Sequence, residues 1–304
     1  MHASFFGRTE VVNILRKHSI TDINERHELF VESALSWRRQ FTPLQAAAFS
    51  GHLDIAKILV KEPNVDVNVA TEEGNTALHW AALHGCLEVV QCLVSVPNID
   101  VNAANNAVET ALHLAVENRC LEVVQFLVSV PNIDINFANN AGDNVLHWAA
   151  VQEFPEIVQC LVSVPNIDVN AANNVGNTAL HLAVAMGHLE VVKLVLAVQK
   201  AEVNAVNNAG NTVLHSAAAS GHLELVKVLA SLPKNAINAS NNAGNTALHL
   251  AAKNGFLEVV QFLVKLQDVN VHATNNGGYT ALHLTSKIRN LDIVRVLETV
   301  QKVG

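Results

Sequence analysis

Histidine is the residue type that first suggests chemistry in this chain. Fifteen of its 304 residues are histidine, and seven of them (His79, His113, His147, His181, His215, His249 and His283) follow one another every 34 residues without drift. Imidazole is the commonest metal ligand and a general acid or base near neutral pH, so the row has to be tested against geometry. Zinc needs ligands converging on one point at about 2.0–2.1 Å. Equivalent atoms of stacked units stand about 10 Å apart, the spacing of packed helices. Such a row does not converge, and its expected role is structural hydrogen bonding. Cys86, Cys92, Cys120 and Cys160 offer neither a close metal-type pair nor a disulfide frame. Cys92 and Cys160 share one helix position two units apart and read as core fillers. No phosphate-binding glycine loop, His-Glu-x-x-His or Gly-x-Ser-x-Gly occurs. A catalytic site would need a constellation that breaks the repetition, so no enzyme, metal or cofactor site is expected.

The elements that carry these histidines repeat with them. Thr76-Ala77-Leu78-His79 recurs at each step, and Thr42-Pro43-Leu44-Gln45 keeps the same phase, which makes eight units. In the unit from Thr178, the threonine is an N-cap candidate, and Leu180, Ala183 and Val184 follow at helical spacing. Gly187 stands where a left-handed residue ends the helix. A second amphipathic run, Leu189 to Val198, follows, and in other units it stops at Pro97, Pro131, Pro165 or Pro233. The next stretch, Asp168 to Asn177, is rich in Asn and Gly and reads as a turn. A single unit cannot bury its apolar face alone, so the units must stack into one solenoid rather than fold as two globules.

The pattern Thr-x-Leu-His-x-Ala-Ala-x-x-Gly-His-Leu-Glu, clearest at Thr212–Ala218 and Gly221–Glu224, resembles the ankyrin repeat. The resemblance implies an all-α ankyrin-repeat solenoid: stacked helix-turn-helix units with β-hairpin-like loops projecting from one side. It covers 42–304 as eight 34-residue units, the last serving as a more polar C-terminal cap. Residues 1–41 read as an incomplete N-terminal capping repeat with a loop insertion; Thr42 follows Asn24 by 18 positions, whereas Thr76 follows Asn68 by 8. The sequence also departs from the family. Asn144 replaces the capping threonine of its unit, and Arg119, Glu153 and Arg289 replace the helix-ending glycine. Local distortion is expected at Glu153-Phe154-Pro155.

The family resemblance implies function through a concave groove, lined by the residue after each repeated His and the two before the Gly. Here the first row reads Ala46, Trp80, Leu114, Trp148, Leu182, Ser216, Leu250 and Leu284. Two tryptophans on a row expected to face solvent suggest a contact site; alternatively they lean on Leu114 and seal the inner helices. The candidate partner-binding residues are Trp80, Leu83, Leu114, Glu117, Trp148 and Val151, with Glu72 and Glu73 at a hairpin tip, and Trp37 and Arg38 from the insertion.

Charge gives the partner a chemistry. The chain carries a net −8, which is a poor footprint for nucleic acid. Residues 62–192 hold 1 basic and 15 acidic groups, whereas 1–61 and 193–304 are net basic. Glu72, Glu73, Glu109, Glu117, Asp143 and Glu153 lie outside the repeat consensus. They suit a partner segment with an apolar anchor flanked by Lys or Arg, or they serve solubility. No apolar run approaches the ~18 residues of a membrane span, and the first residues lack a secretory pattern. The expectation is a monomeric protein-binding module of the cytoplasm. The alternatives are an effector that an intracellular bacterium delivers to the host cytosol, or the targeting arm of a larger enzyme or ligase.

Overall fold

The computed structural model describes residues 27–30, 38–233, 236–288 and 290–301. The chain divides into two compact units, the first comprising residues up to 149 with 163–167, the second 150–162 with 168 onward. In the first, strands β1 (His27–Phe30) and β2 (Arg38–Phe41) pair antiparallel, His27 opposite Phe41 and Phe30 opposite Arg38. The described part of the insertion is thus a pair of short strands, and the other regular elements among the described residues are helices. Three helix pairs follow: α1 (Pro43–Phe49) and α2 (Leu53–Leu59), α3 (Ala77–Leu83) and α4 (Leu87–Val94), α5 (Ala111–Glu117) and α6 (Leu121–Leu127). Helix α7 (Val145–Val151) contains the division point. The second unit holds α8 (Pro155–Val162), α9 (Ala179–Met186), α10 (Leu189–Leu196), α11 (Val213–Ser220), α12 (Leu223–Ala230), α13 (Ala247–Asn254), α14 (Leu257–Leu263), α15 (Ala281–Ile288) and α16 (Leu291–Gln301).

Within each unit the first helices of successive pairs pack on one another, α1 on α3 on α5 and α9 on α11 on α13 on α15; the second helices do the same, α2 on α4 on α6 and α12 on α14 on α16. Side-chain size dictates this arrangement. Ala81, Ala82, Ala217, Ala218, Ala251 and Ala252 are fully buried and let the two helices of a pair approach closely. The second helices bury a stripe at positions i, i+1 and i+4, such as Val89, Val90 and Leu93, or Leu225, Val226 and Leu229. Fully burying one such leucine stabilises by about 1.5–3 kcal/mol. Because each helix spans only two turns, tertiary packing rather than intrinsic propensity holds it.

The loops are tied to their neighbours by side-chain amides. Asn68 donates through Nδ2 to the Asn98 carbonyl at 2.7 Å, and its Oδ1 accepts from the Asp100 N–H at 2.9 Å, so one amide bridges two repeats. At the tips, the Asn208 N–H donates to the Val175 carbonyl at 3.1 Å and its Nδ2 to the Asn174 carbonyl at 3.0 Å. Asn242 and Asn276 repeat that pattern on the units before them. Glycine is required here: a Cβ on Gly176 would stand 2.6 Å from the Asn208 nitrogen, and its φ is +79°.

Candidate functional site

Each repeated histidine is consumed by the scaffold. In α3, Nδ1 of His79 accepts from the Thr76 N–H at 3.1 Å, the role a glutamate plays in an ordinary capping box. That bond fixes the tautomer, leaving Nε2–H to donate to the Glu109 carbonyl of the next repeat at 3.0 Å. His181, His215 and His249 reach Asn211, Asn245 and Tyr279 in the same way at 2.9–3.0 Å. Gln45 fills this role in the first pair, accepting from the Thr42 N–H and donating to the Val69 carbonyl at 2.7 Å. Burial pushes His79, His181, His215 and His249 below the ordinary imidazole range, opposed by the carbonyls they bind. Among the described residues no three His, Cys, Asp or Glu side chains group as metal ligands would. None of the four cysteines is in a disulfide, and burial raises the pKa of each thiol, which disfavours the nucleophilic thiolate.

His113 departs from this pattern. Its Nδ1 takes the Thr110 N–H at 3.3 Å, yet its Nε2 is buried without a hydrogen-bond partner. The ring meets Phe137 edge-on at 6.3 Å and Trp148 edge-on at 6.2 Å. Burial drives its pKa down to about 4, although the nearby Asp143 backbone works against the shift.

The sequence-derived contact residues divide by exposure. Trp80 is only 3% exposed, because Phe41 of β2 and Phe49 of α1 pack against its ring at 5.3 and 5.6 Å. Leu114 is 6% exposed. The row expected to face solvent is therefore covered at these two positions, and both side chains serve packing. Trp148 and Leu83 are half-buried, Val151 is 37% exposed one turn beyond Trp148, and Glu72, Glu73 and Glu117 are exposed. Partial desolvation, and secondarily the charge of Glu109, raise the Glu117 pKa. Trp37 lies outside the described residues; Arg38 is placed at the start of β2 as backbone only.

Residues that replace glycine keep glycine's backbone conformation. Arg119 and Glu153 adopt φ of 58° and 57° where Gly187, Gly221 and Gly255 end the equivalent helices. Val108, which the pattern reading passed over, holds φ 61° at a tip position occupied elsewhere by Gly74, Gly176, Gly210 and Gly244. A β-branched residue there is strained. Comparing tip positions unit by unit would have found it, since Val108 alone interrupts a column of glycines. At the expected distortion, Glu153 absorbs the left-handed turn and Pro155 opens α8 as its first residue.

The family model of ankyrin repeats (3 copies) matches overlapping stretches at residues 1–105, 64–139, 96–173, 112–207, 146–241, 194–275 and 232–300. The chain is an ankyrin-repeat protein. Among solved structures this ankyrin-repeat chain is similar to the ankyrin repeat domain of Bcl-3, which is described as a unique member of the IkappaB protein family. The two share 29% identity with a TM-score of 0.67, over 75% of this chain and 100% of that one. No curated protein matches the sequence. Ankyrin repeats are in general scaffolds for protein interaction without chemistry of their own, and no described helix is long and apolar enough to cross a membrane.

Proposed function

We propose that this ankyrin-repeat chain is a cytoplasmic, monomeric recognition module. Its partner is a protein segment with an apolar side chain flanked by Lys or Arg, held at the tips and inner helices of residues 72–148. The observation that carries the reading is the set of exposed side chains there that depart from the repeat, Glu72, Glu73 and Glu117, with half-buried Leu83 and Trp148 as the apolar component. Acidic groups around a small apolar patch favour a basic, apolar ligand and discriminate against acidic ones. Trp80 and Leu114 support the face from beneath. The reducing compartment is supported by four cysteines that are in no disulfide among the described residues.

The test is a comparative affinity capture with quantitative mass spectrometry, using the wild type and the charge-reversed variant Glu72→Lys/Glu73→Lys/Glu117→Lys. All three positions are exposed, so the variant is expected to fold. Loss of a defined partner set enriched in basic segments supports the reading. Unchanged partners would place recognition elsewhere on the array.

A further inference from the structure

The chain contains one junction where buried polar groups, backbone strain and a misfit ring coincide. His113 Nε2 and Asn144 Nδ2 are both fully buried and neither meets a partner within hydrogen-bond geometry, although the Asp143 and Phe137 backbone lies close to the imidazole. Asn144 replaces the capping threonine. Its Oδ1 accepts from the Leu146 and His147 N–H groups at 3.1 and 3.2 Å and meets the His147 ring at 2.7 Å, but its amide nitrogen has no counterpart to satisfy. Phe137 stands where Ala103, Ala171, Ala205, Ala239 and Ala273 stand in other units, and its ring presses on His113. Val108, Arg119 and Asn132 hold φ of 61°, 58° and 65° around α5 and α6.

The tip tie changes here too. Asn106 donates its side-chain amide to Glu72, and Asn208 to Asn174, two residues before the left-handed position. Asn140 instead reaches Ala107, one residue before Val108, at 3.3 Å. The cause is steric: a Cβ at the equivalent Gly74 would stand 2.7 Å from the Asn106 nitrogen, and at Val108 a Cβ is present.

We propose that the packing of α5 against the 137–148 segment is a yielding seam, which opens locally well below global unfolding and frees Phe137 and Trp148 together. The seam stands on its own geometry and is independent of the partner reading above. Each orphaned buried donor and each strained left-handed residue raises the opening equilibrium by about tenfold, and such weak elements are where proteins open sub-globally. Because Trp148 rests on His113, opening changes how α7 presents its indole.

Native-state hydrogen exchange read by mass spectrometry on the full chain tests this. Amides of α5 and α7 are expected to exchange at least about tenfold faster than those of α9 and α11. The variant Phe137→Ala/Asn144→Thr, which returns both positions to the repeat, should slow them about tenfold or more. Val108→Gly, which touches neither buried group, should slow them independently and decides the matter if the double variant does not fold. Equal protection of α5, α7, α9 and α11 in the wild type would overturn the proposal, as would fast exchange that neither variant slows.

Discussion

Two stretches of the same design behave differently. Between Gly176 and Gly255 every left-handed position among the described residues is a glycine, every repeated histidine finds its carbonyl, and the tip amides keep one register. Between Val108 and Glu153 the left-handed positions are filled by Val, Arg, Asn and Glu as well as glycine, one histidine no longer meets its carbonyl within hydrogen-bond geometry, and one tip amide has slipped by a residue. Both stretches fold into the same helices, because the apolar stripes of the second helices are intact in each. The hydrophobic pattern sets the architecture, while glycine and polar pairing set how firmly neighbouring repeats hold each other.

The largest test of this contrast is acid. His79, His113, His181, His215 and His249 are held neutral by burial, so the unfolded chain binds more protons wherever the pH lies below about 6.5. Stability is therefore complete above that value and is lost as the pH falls through the folded pKa values, the lowest being about 4 at His113. His113 alone accounts for on the order of 3 kcal/mol of that loss, measurable as the urea midpoint between pH 7 and pH 4. His113→Gln should remove its share, since Gln45 already shows that glutamine can fill the position. A midpoint independent of pH would refute the buried neutral imidazoles.

Next in size is Gly176→Val, which installs in the regular stretch what Val108 is in the irregular one. The new Cβ meets the Asn208 nitrogen and Oδ1 at φ +79°, and the expected destabilisation is about 2–3 kcal/mol. A loss below ~0.5 kcal/mol would mean that the tips adjust freely and that glycine there is incidental. The converse change, Val108→Gly, should stabilise by about 1 kcal/mol, relief of left-handed strain outweighing the added freedom of the unfolded chain. Smallest in stability, within about 0.5 kcal/mol, is Glu72→Lys/Glu73→Lys/Glu117→Lys, because all three side chains are solvated; the same variant should show the largest loss of partner.

Much of this was legible in local signals. Thr178 with His181 marks a helix start, Gly187 an end, and the 34-residue period fixes the rest, because each depends on residues within a few positions of one another. The burial of Trp80 was not legible. Its cover comes from Phe41, which lies upstream of the first recognisable unit, so the repeat pattern alone counted its row as open. Nor was the β1–β2 ribbon, since His27-Glu28-Leu29-Phe30 and Arg38-Arg39-Gln40-Phe41 contain no β-branched residue. Val108 is different: valine in a loop looks unremarkable by itself, and only the column of tip glycines at 74, 142, 176, 210, 244 and 278 marks it as the exception. The contact residues divide accordingly, with charged Glu72, Glu73 and Glu117 where their polarity suggested, and apolar Trp80 and Leu114 drawn inward.

The glutamine at position 45 gives the array a polarity that its regular period conceals. Its amide makes the same two ties as the imidazoles but has no proton to gain on acidification. Falling pH therefore loosens the first unit unevenly: the clasp at α1 keeps its grip while that of His79 in α3 slackens.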